Sequence, residues 1–394
     1  MYNQNRLDLI QIILDEMVAT NFVAGINVLI EEKGKEVAYY QSGNADVAAK
    51  RPMNRDTICH LYSMSKPITA AAAMAVMEDG KIDLLEPLET YLPEFAHMMV
   101  VEGWKPVHAK RSIRVKDLLN MQSGLVYPGT AFQAESEMEG FFKELVDKMG
   151  TDEEMDTMTV ANRIAKLPLL FHPGEHWKYG TSADIMGAVI EKVSDMPLGD
   201  FMKKRFFDPL GMKDTGFFLN EEQKKRMSKV YAQKDGALEE YHHNHLGISL
   251  DMNSKPKFES GGAGLLSTLD DYMKFGRMLL QGGSLDGQRI LGEDTVRFFT
   301  HGGLMPKVHE DLYDWDGMEG FQYGNFMRVM KNNGLSHVNI PEDSYGWDGW
   351  LGPYFLNDPQ NETTFLMMQQ RTDTGTTAYT RRILNVLASA RIHE

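Results

Sequence analysis

The stretch that decides the fold reads HLYSMSK and spans residues 60–66. It contains Ser-x-x-Lys, with Ser63 and Lys66 three residues apart. The Ala- and Met-rich segment that follows, as far as Glu78, predicts a buried helix, and Pro67 is tolerated only in the first turn of such a helix. Residues three apart share one face of a helix, so we expect the Lys66 amine to reach the Ser63 hydroxyl.

The Ser63–Lys66 pair suits nucleophilic catalysis. A serine hydroxyl is a weak nucleophile until a neighbouring group removes its proton. A lysine can do so only if its pKa falls well below the usual value of about 10.4, which requires burial or a nearby positive potential. Ser-x-x-Lys alone is a weak signal, because a helix N-cap followed by a solvated lysine has the same pattern. The apolar, Ala-rich setting of Lys66 favours the nucleophilic interpretation.

Two further stretches carry groups suited to the same chemistry. Residues 171–184 place Tyr179 on a loop before a helix, where a phenol can relay a proton. Residues 345–353 place glycines around the start of a strand, where the backbone can approach a ligand closely. Each stretch also has a purely structural interpretation, a packing tyrosine in the first and an aromatic turn in the second.

Together these stretches resemble the serine β-lactamase and penicillin-binding protein superfamily. The similarity is greatest to the class C β-lactamase-like branch, which includes family VIII carboxylesterases and related acyltransferases. Besides Ser-x-x-Lys, three elements of that branch follow in order, and they are DLLNMQSGL at 117–125, PGEHWKY at 173–179 and GGAGLLSTLDD at 261–271. The resemblance covers nearly the whole chain.

The resemblance implies a role for several residues. Ser63 would form the acyl-enzyme, and Lys66 and Tyr179 would share the roles of base and acid. The backbone N–H groups of Ser63 and Trp350 would form the oxyanion hole. No metal ion and no organic cofactor is implied, and the partner would be a small-molecule ester or amide substrate. The substrate-binding positions would be Thr181, Trp347 and Gly349.

Two positions depart from the lactamases of this branch. Where their Tyr-x-Asn motif has asparagine, this chain has Thr181, so the side-chain amide that orients an acyl-amide substrate is missing. Where they have Lys-Thr-Gly, this chain has Trp347-Asp348-Gly349. Replacing the lysine by an apolar wall and adding a carboxylate should weaken binding of anionic substrates by about 1–3 kcal/mol. Family VIII esterases often have Trp-x-Gly here, so we predict a carboxylesterase, or an acyltransferase, that acts on small neutral esters.

Other interpretations remain open at this point. A β-lactamase or D-amino-acid peptidase would have the same fold and nucleophile, and a non-catalytic ligand-binding protein could use the same scaffold. The segment Asp311–Phe326 mixes aromatic and acidic residues, and it is either a substrate lid or a packed surface loop. The three histidines of Tyr241–His245 match no closed set of zinc ligands, so we interpret them as part of a surface or cleft-edge loop.

Strand-like segments lie near both ends of the sequence, and helical segments lie between them. The strand-like segments are Ala24–Ile30, Glu36–Tyr40, Gln322–Met330, Pro353–Leu356 and Thr363–Gln369. The main helical segments are Val115–Met121, Glu135–Lys148, Met155–Lys166, Ala183–Ser194, Leu198–Phe207, Asp270–Leu280 and Ala378–Ala390. This order predicts an α+β fold, a β-lactamase-like antiparallel sheet flanked by the terminal helices, with an inserted, mostly helical domain. The sheet domain would comprise residues 1–85 and 285–394, and the helical domain residues 86–284.

Composition narrows the range of partners. The chain has 394 residues and a formal net charge of −15, which argues against nucleic acid and anionic membranes as partners. Cys59 is the only cysteine, so no internal disulfide can form. The sequence contains no apolar run long enough for a membrane span and no secretory leader, and we expect a cytoplasmic protein. Composition says nothing about the oligomeric state.

Overall fold

The computed structural model describes residues 1–103 and 105–392. The strands, numbered in chain order, are β1 (Gly25–Glu32), β2 (Lys35–Asp46), β3 (Arg51–Pro52), β4 (Cys59–His60), β5 (Met99–Glu102), β6 (Lys105–His108), β7 (Tyr231–Lys234), β8 (Ala237–Glu240), β9 (Leu266–Ser267), β10 (Ser284–Leu285), β11 (Gln288–Arg289), β12 (Phe321–Gly324), β13 (Met327–Met330), β14 (Tyr345–Asp348), β15 (Tyr354–Asp358) and β16 (Thr363–Gln369). The α-helices are α1 (Gln4–Leu7), α2 (Leu9–Ala19), α3 (Ser65–Glu78), α4 (Val115–Leu119), α5 (Gln133–Lys148), α6 (Thr157–Ile164), α7 (Ser182–Ser194), α8 (Leu198–Met202), α9 (Asp208–Leu210), α10 (Glu221–Lys224), α11 (Leu269–Leu280), α12 (Glu293–Thr300), α13 (Pro306–His309) and α14 (Ala378–Ala390).

One eight-stranded sheet joins the two ends of the chain. Its strand order is β12-β13-β14-β15-β16-β1-β2-β3, and each neighbouring pair runs antiparallel. In its middle, Ile30 of β1 lies opposite Phe365 of β16 on one side and Ala38 of β2 on the other. All of β1 except Glu32 is buried, as expected for a central strand whose two faces are both covered.

Helices cover both faces of this sheet. Thr364 and Phe365 are neighbours on β16, so their side chains point to opposite faces. Thr364 approaches Gly276 of α11. Phe365 lines a small apolar gap together with Leu384 of α14. Helix α14 therefore lies on one face, with α2 packed beside it, and α11 lies on the other, which leaves the sheet as the middle layer.

The helix that carries the Ser-x-x-Lys lysine is buried along most of its length. Every residue of α3 from Ser65 to Val76 is buried, including the run Ala70–Ala73. Helix α3 contacts α7 and the Gly-rich segment before β9. The hydroxyl of Thr69 donates a 2.6 Å hydrogen bond to the carbonyl of Gly261 there. Small side chains on α3 let these elements approach closely, which encloses the first turn of the helix.

The structure confirms the predicted α+β architecture, with an antiparallel sheet built from both ends of the sequence. The first two strands, β1 and β2, form a hairpin that turns at Lys33 and Gly34, both with positive φ. The domain boundaries at 85/86 and 284/285 stay a prediction. Among the described residues, no helix is both long and apolar enough to cross a membrane.

Two predicted elements are wrong in detail. The single strand predicted at Gln322–Met330 is two strands, β12 and β13, because Asn325 and Phe326 adopt φ values of 51° and 61° and reverse the chain. The segment predicted as one helix at Leu198–Phe207 is α-helical only as far as Met202, and Lys203–Phe207 form a π-helical turn. The hairpins β5–β6 and β7–β8 were not predicted, since their strands are only four residues long.

Candidate active site

Ser63 lies in a 3-10 turn between β4 and α3. The strand β4 pairs with β9, and the N–H of Leu61 donates to the carbonyl of Leu265, so the approach to the turn is fixed by backbone hydrogen bonds. Tyr62 has φ of +44°, an unfavourable conformation for a bulky residue. This conformation turns the chain directly before Ser63, whose side chain is half-buried at the start of α3.

The Lys66 amine contacts the Ser63 hydroxyl as the sequence predicts. Its Nζ lies 3.0 Å from Ser63 Oγ, 3.0 Å from the Tyr127 hydroxyl and 2.8 Å from the carbonyl oxygen of Gly262. Lys66 is 0% exposed. Burial lowers its pKa to about 7, although the carboxylates of Asp184 and Asp348 act in the opposite direction. A large fraction of Lys66 is therefore neutral near pH 7 and able to accept a proton from Ser63.

Tyr179 lies on the other side of the same amine. The Lys66 Nζ is 4.6 Å from the centroid of the Tyr179 ring, and the indole Nε1–H of Trp347 donates a 2.9 Å hydrogen bond to the Tyr179 hydroxyl. Burial raises the pKa of Tyr179 above its usual value, and hydrogen bonds with Ser63 and Trp347 partly counter this. Near pH 7 Tyr179 is a protonated phenol, so it is suited to donate a proton.

Tyr127 is a close partner of Lys66 that the sequence analysis missed. Its ring centroid lies 5.6 Å from that of Tyr179, so two phenols flank the amine. Burial raises the pKa of Tyr127 well above the usual value, so this phenol also keeps its proton. The sequence offered one indication of this role, because Tyr127 lies two residues after the SGL element at 123–125. A single tyrosine is too common for that position to identify it.

The Gly-rich element supplies the third contact of the lysine. The N–H of Gly262 donates to Asp184 Oδ1 across 3.0 Å, and the hydroxyl of Ser260 donates to the same oxygen. Asp184 is 4% exposed and lies in the first turn of α7. These bonds hold the Gly262 carbonyl against Lys66, so the element at 261–271 positions the amine through its backbone.

Trp347 and Asp348 have surroundings that the sequence did not predict. Trp347 is 1% exposed and bonds to Tyr179, so little of its ring is open to a substrate. The carboxylate of Asp348 lies 3.3 Å from Arg328 Nη1 and accepts a 2.6 Å hydrogen bond from Thr376. The negative charge expected at position 348 is therefore offset by a buried arginine. A direct substrate contact at Trp347 stays a prediction.

The turn after β14 brings the predicted oxyanion donor beside the nucleophile. A Cβ atom at Gly349 would lie 2.2 Å from the Leu61 carbonyl oxygen, so only glycine permits this approach. The ring of Trp350 lies 5.0 Å from that of Tyr62 and stacks on His245 at 4.1 Å. Within the described residues the backbone N–H of Trp350 has no acceptor, whereas its indole N–H donates to Asp373. The roles of Gly349 and Trp350 remain predictions that this geometry permits.

Thr181 is enclosed at the start of α7. It is 0% exposed, and within the described part of the chain its hydroxyl has no hydrogen-bond partner. The neighbouring Ser182 hydroxyl shares a 2.8 Å hydrogen bond with Ser123. Substrate binding by Thr181 stays a prediction, and its enclosure leaves little surface for a contact.

The aromatic and acidic segment predicted as a lid or a surface loop borders the site. Trp315 has its ring centroid 5.0 Å from that of Tyr179 and is 38% exposed. The segment is held by Asp311, which accepts a 2.7 Å hydrogen bond from the backbone N–H of Trp177. Trp315 therefore packs against Tyr179 at the border of the site.

Comparison with known proteins identifies the family. A family model described as Beta-lactamase matches residues 11–390. The chain therefore belongs to the beta-lactamase family of serine hydrolases, which includes esterases and acyltransferases. The family-level resemblance that the four motifs indicate is confirmed.

Particular relatives share most of the chain. Protein Rv1367c of Mycobacterium tuberculosis is 30% identical over 376 residues, which cover 92% of this chain and 90% of that protein. Esterase EstB of Burkholderia gladioli is 28% identical over 277 residues, which cover 66% of this chain and 67% of EstB. The solved structure of EstCE1, described as a hydrolase with promiscuous acyltransferase activity, has a TM-score of 0.82 at 22% identity and covers 98% of this chain and 99% of EstCE1. At that identity the likeness to EstCE1 shows the fold alone.

Proposed function

We propose that this chain is a serine carboxylesterase that acts on small neutral esters through an acyl intermediate on Ser63. The observation that carries the proposal is the buried Lys66 amine, 3.0 Å from Ser63 Oγ and 0% exposed. Burial shifts the pKa of this lysine to about 7, close to the pH at which a general base is most useful. The arrangement supplies the base that a serine nucleophile requires.

The groups at the site can carry out every step of acylation. Lys66 accepts the Ser63 proton while Oγ attacks the ester carbonyl carbon, and the oxyanion is stabilised by the N–H groups of Ser63 and Trp350. The bond between the carbonyl carbon and the alcohol oxygen then breaks, and Tyr179 gives its proton to the departing alkoxide. Lys66 returns the proton it holds to Tyr179. One ester bond is lost, one acyl–Ser63 bond forms, and one alcohol is released.

Deacylation uses the same groups on a second acceptor. Lys66 takes a proton from water, whose oxygen attacks the acyl carbon. The bond between the acyl carbon and Ser63 Oγ then breaks, Lys66 gives its proton to Oγ, and a carboxylic acid is released. An alcohol in place of water would give acyl transfer by the same steps. Acyl transfer to an alcohol is therefore part of the proposal.

The preference for neutral esters follows from the charges near β14. The residue at the position of the lactamase lysine is Trp347, which carries no charge. The cation close to it, Arg328, is 6% exposed, lies 5.1 Å from the Trp347 ring centroid and is paired with Asp348. An anionic substrate would lose its expected partner, whereas a neutral ester would not need one.

Hydrolysis of p-nitrophenyl acetate and butyrate by the purified chain tests the proposal. We expect turnover that Ser63→Ala abolishes and Ser65→Ala retains, because the Ser65 hydroxyl accepts a hydrogen bond from the Leu265 N–H and does not contact Lys66. Mass spectrometry of the intact protein should show an acyl group on the wild type and none on Ser63→Ala. Faster turnover of nitrocefin than of either ester would favour a β-lactamase instead. No turnover and no adduct with any of these compounds would favour a non-catalytic protein.

A further inference from the structure

A buried arginine lies behind the tryptophan that contacts Tyr179. Arg328 is on β13 and is 6% exposed. Its guanidinium carbon lies 5.1 Å from the ring centroid of Trp347 and 4.9 Å from that of Tyr354. Burying a charge is costly unless the charge is well paired. The ion pair of Arg328 with Asp348, at 3.3 Å, is long for such a pair, so structural stability alone is a weak reason for this residue.

Arg328 is linked to the proton-transfer groups by a short series of contacts. Its guanidinium stacks over the indole of Trp347, whose N–H donates a 2.9 Å hydrogen bond to the Tyr179 hydroxyl. On the far side of Tyr179, the Lys66 amine lies 4.6 Å from the ring centroid. Arg328 thus lies at one end of the Trp347–Tyr179 pair and the Lys66 amine at the other, and the orientation of the indole decides whether the hydrogen bond to Tyr179 forms.

Arg328 also balances the negative charge of Asp348. The carboxylate follows Trp347 directly, and its charge raises the pKa of both Lys66 and Tyr179. The Thr376 hydroxyl accepts from Arg328 Nη2 at 3.2 Å and donates to Asp348 at 2.6 Å, which completes a closed network. Without the guanidinium, Asp348 would be a buried carboxylate held by one hydroxyl, and it would oppose proton release by Tyr179.

We propose that Arg328 is a positioning residue for proton donation by Tyr179, because it holds the Trp347 indole against the tyrosine and offsets the charge of Asp348. This inference rests on the proposed function, in which Tyr179 protonates the departing alkoxide. Arg328 does not touch the substrate and acts through its two neighbours.

The dependence of rate on the leaving group tests this role. An alkoxide is a poor leaving group and needs the proton of Tyr179, whereas p-nitrophenolate leaves without protonation. We expect Arg328→Gln to lower kcat/KM about ten-fold for ethyl butyrate and less than about three-fold for p-nitrophenyl butyrate. A merely structural role would lower both values by the same factor.

Matched variants keep the test decisive if Arg328→Gln folds poorly. Arg328→Lys keeps the charge and should retain most of the activity on ethyl butyrate. Adding Asp348→Asn to Arg328→Gln removes the unbalanced carboxylate and should restore part of the lost alkyl-ester activity, as a double-mutant cycle would measure. Arg381→Gln is the control. Arg381 and Arg328 both line a cavity of about 250 Å³, but Arg381 does not lie over the Trp347 ring.

The outcomes separate this inference from the proposed function. An unchanged ratio of alkyl-ester to aryl-ester kcat/KM in Arg328→Gln, Arg328→Lys and the double variant would overturn the role of Arg328 and leave the esterase in place. A wild-type chain that hydrolyses neither ester would overturn the proposed function, and the role of Arg328 with it.

Discussion

The indole N–H of Trp347 donates a 2.9 Å hydrogen bond to the hydroxyl of Tyr179. The motif resemblance predicts that Trp347 stands where the lactamases of this branch carry a lysine. Compared with a lysine, Trp347 has no positive charge that could bind a substrate carboxylate. Its indole N–H is instead a neutral donor to the Tyr179 hydroxyl. In the proposed function, this one residue therefore links substrate preference with proton transfer.

Removing the Trp347 donor should slow proton transfer. Trp347→Phe keeps an aromatic ring but loses the N–H group, so we expect kcat/KM for an alkyl ester to fall about ten-fold. Melting temperature checks that the variant is folded. Tyr323→Phe is a suitable control, because its ring packs 5.2 Å from that of Trp347 without bonding to Tyr179. An alkyl-ester rate equal to that of the wild type would contradict the assigned hydrogen bond.

Acylation should depend on the ionisation of Lys66. Burial lowers the pKa of this amine to about 7, and only the neutral amine can accept the Ser63 proton. We expect kcat/KM for a neutral ester to rise with pH through about 7 and then to level off. Stopped-flow acylation between pH 5.5 and 9 measures this profile. A rate that stays constant over the whole range would exclude Lys66 as the base.

The same lysine should make stability depend on pH. Its pKa is about 7 in the folded chain, against about 10.4 in the unfolded one. Between these values the unfolded chain binds the extra proton, so the free energy of unfolding rises with pH. Relative to Lys66→Met, the wild type should gain on the order of 3 kcal/mol between pH 7 and pH 10. Urea unfolding of both proteins gives this difference, and parallel curves would refute it.

Tyr127 should matter for the lysine rather than for the leaving group. Tyr127→Phe removes one of the three hydrogen-bond partners of the Lys66 amine, so we expect kcat/KM to fall about ten-fold. Because Tyr127 is not the assigned proton donor, alkyl and aryl esters should be affected to the same extent. Tyr179→Phe should affect alkyl esters more strongly, and a reversal of these two patterns would exchange the roles of the tyrosines.

Gly349 should be intolerant of a side chain. Gly349→Ala places a Cβ atom 2.2 Å from the Leu61 carbonyl oxygen, which must push the turn that carries Trp350 away from Ser63. Loss of one oxyanion donor lowers kcat about 100-fold in other serine hydrolases, and we expect a loss of that order here. The control is Gly303→Ala, whose Cβ would meet no atom within 4 Å. Full activity in Gly349→Ala would remove the Trp350 N–H from the oxyanion hole.

The sequence predicted the contacts that depend on local geometry. Ser63 and Lys66 are three residues apart at the start of a helix, so their contact follows from helical periodicity. The sheet was predictable from strand patterns at both ends of the chain. The reversal at Asn325 and Phe326 was missed: asparagine is common in turns, but a phenylalanine at positive φ is rare, and the strand pattern continues across both residues. The two-residue strand β3 was missed as well, because it is too short to show a pattern.

The contacts that depend on tertiary packing were not predictable. Tyr127 reaches Lys66 across 61 residues of sequence, and no periodic pattern links the two. In the sequence, nothing distinguishes Arg328 from other charged residues of a strand. Its position behind Trp347 depends on the pairing of β13 with β14. Residues that complete the site come from separate elements, and the packing of those elements brings them together.

The pairing of β1 with β16 has a consequence for biosynthesis. Gly25–Glu32 leaves the ribosome about 330 residues before its partner strand Thr363–Gln369. The β1–β16 pair can form only after those residues have been made, and until then one edge of β1 lacks its partner strand. Slow closure of such a long-range contact exposes a nascent chain to aggregation. We therefore expect the yield of native protein to depend on chaperones and on growth temperature during expression.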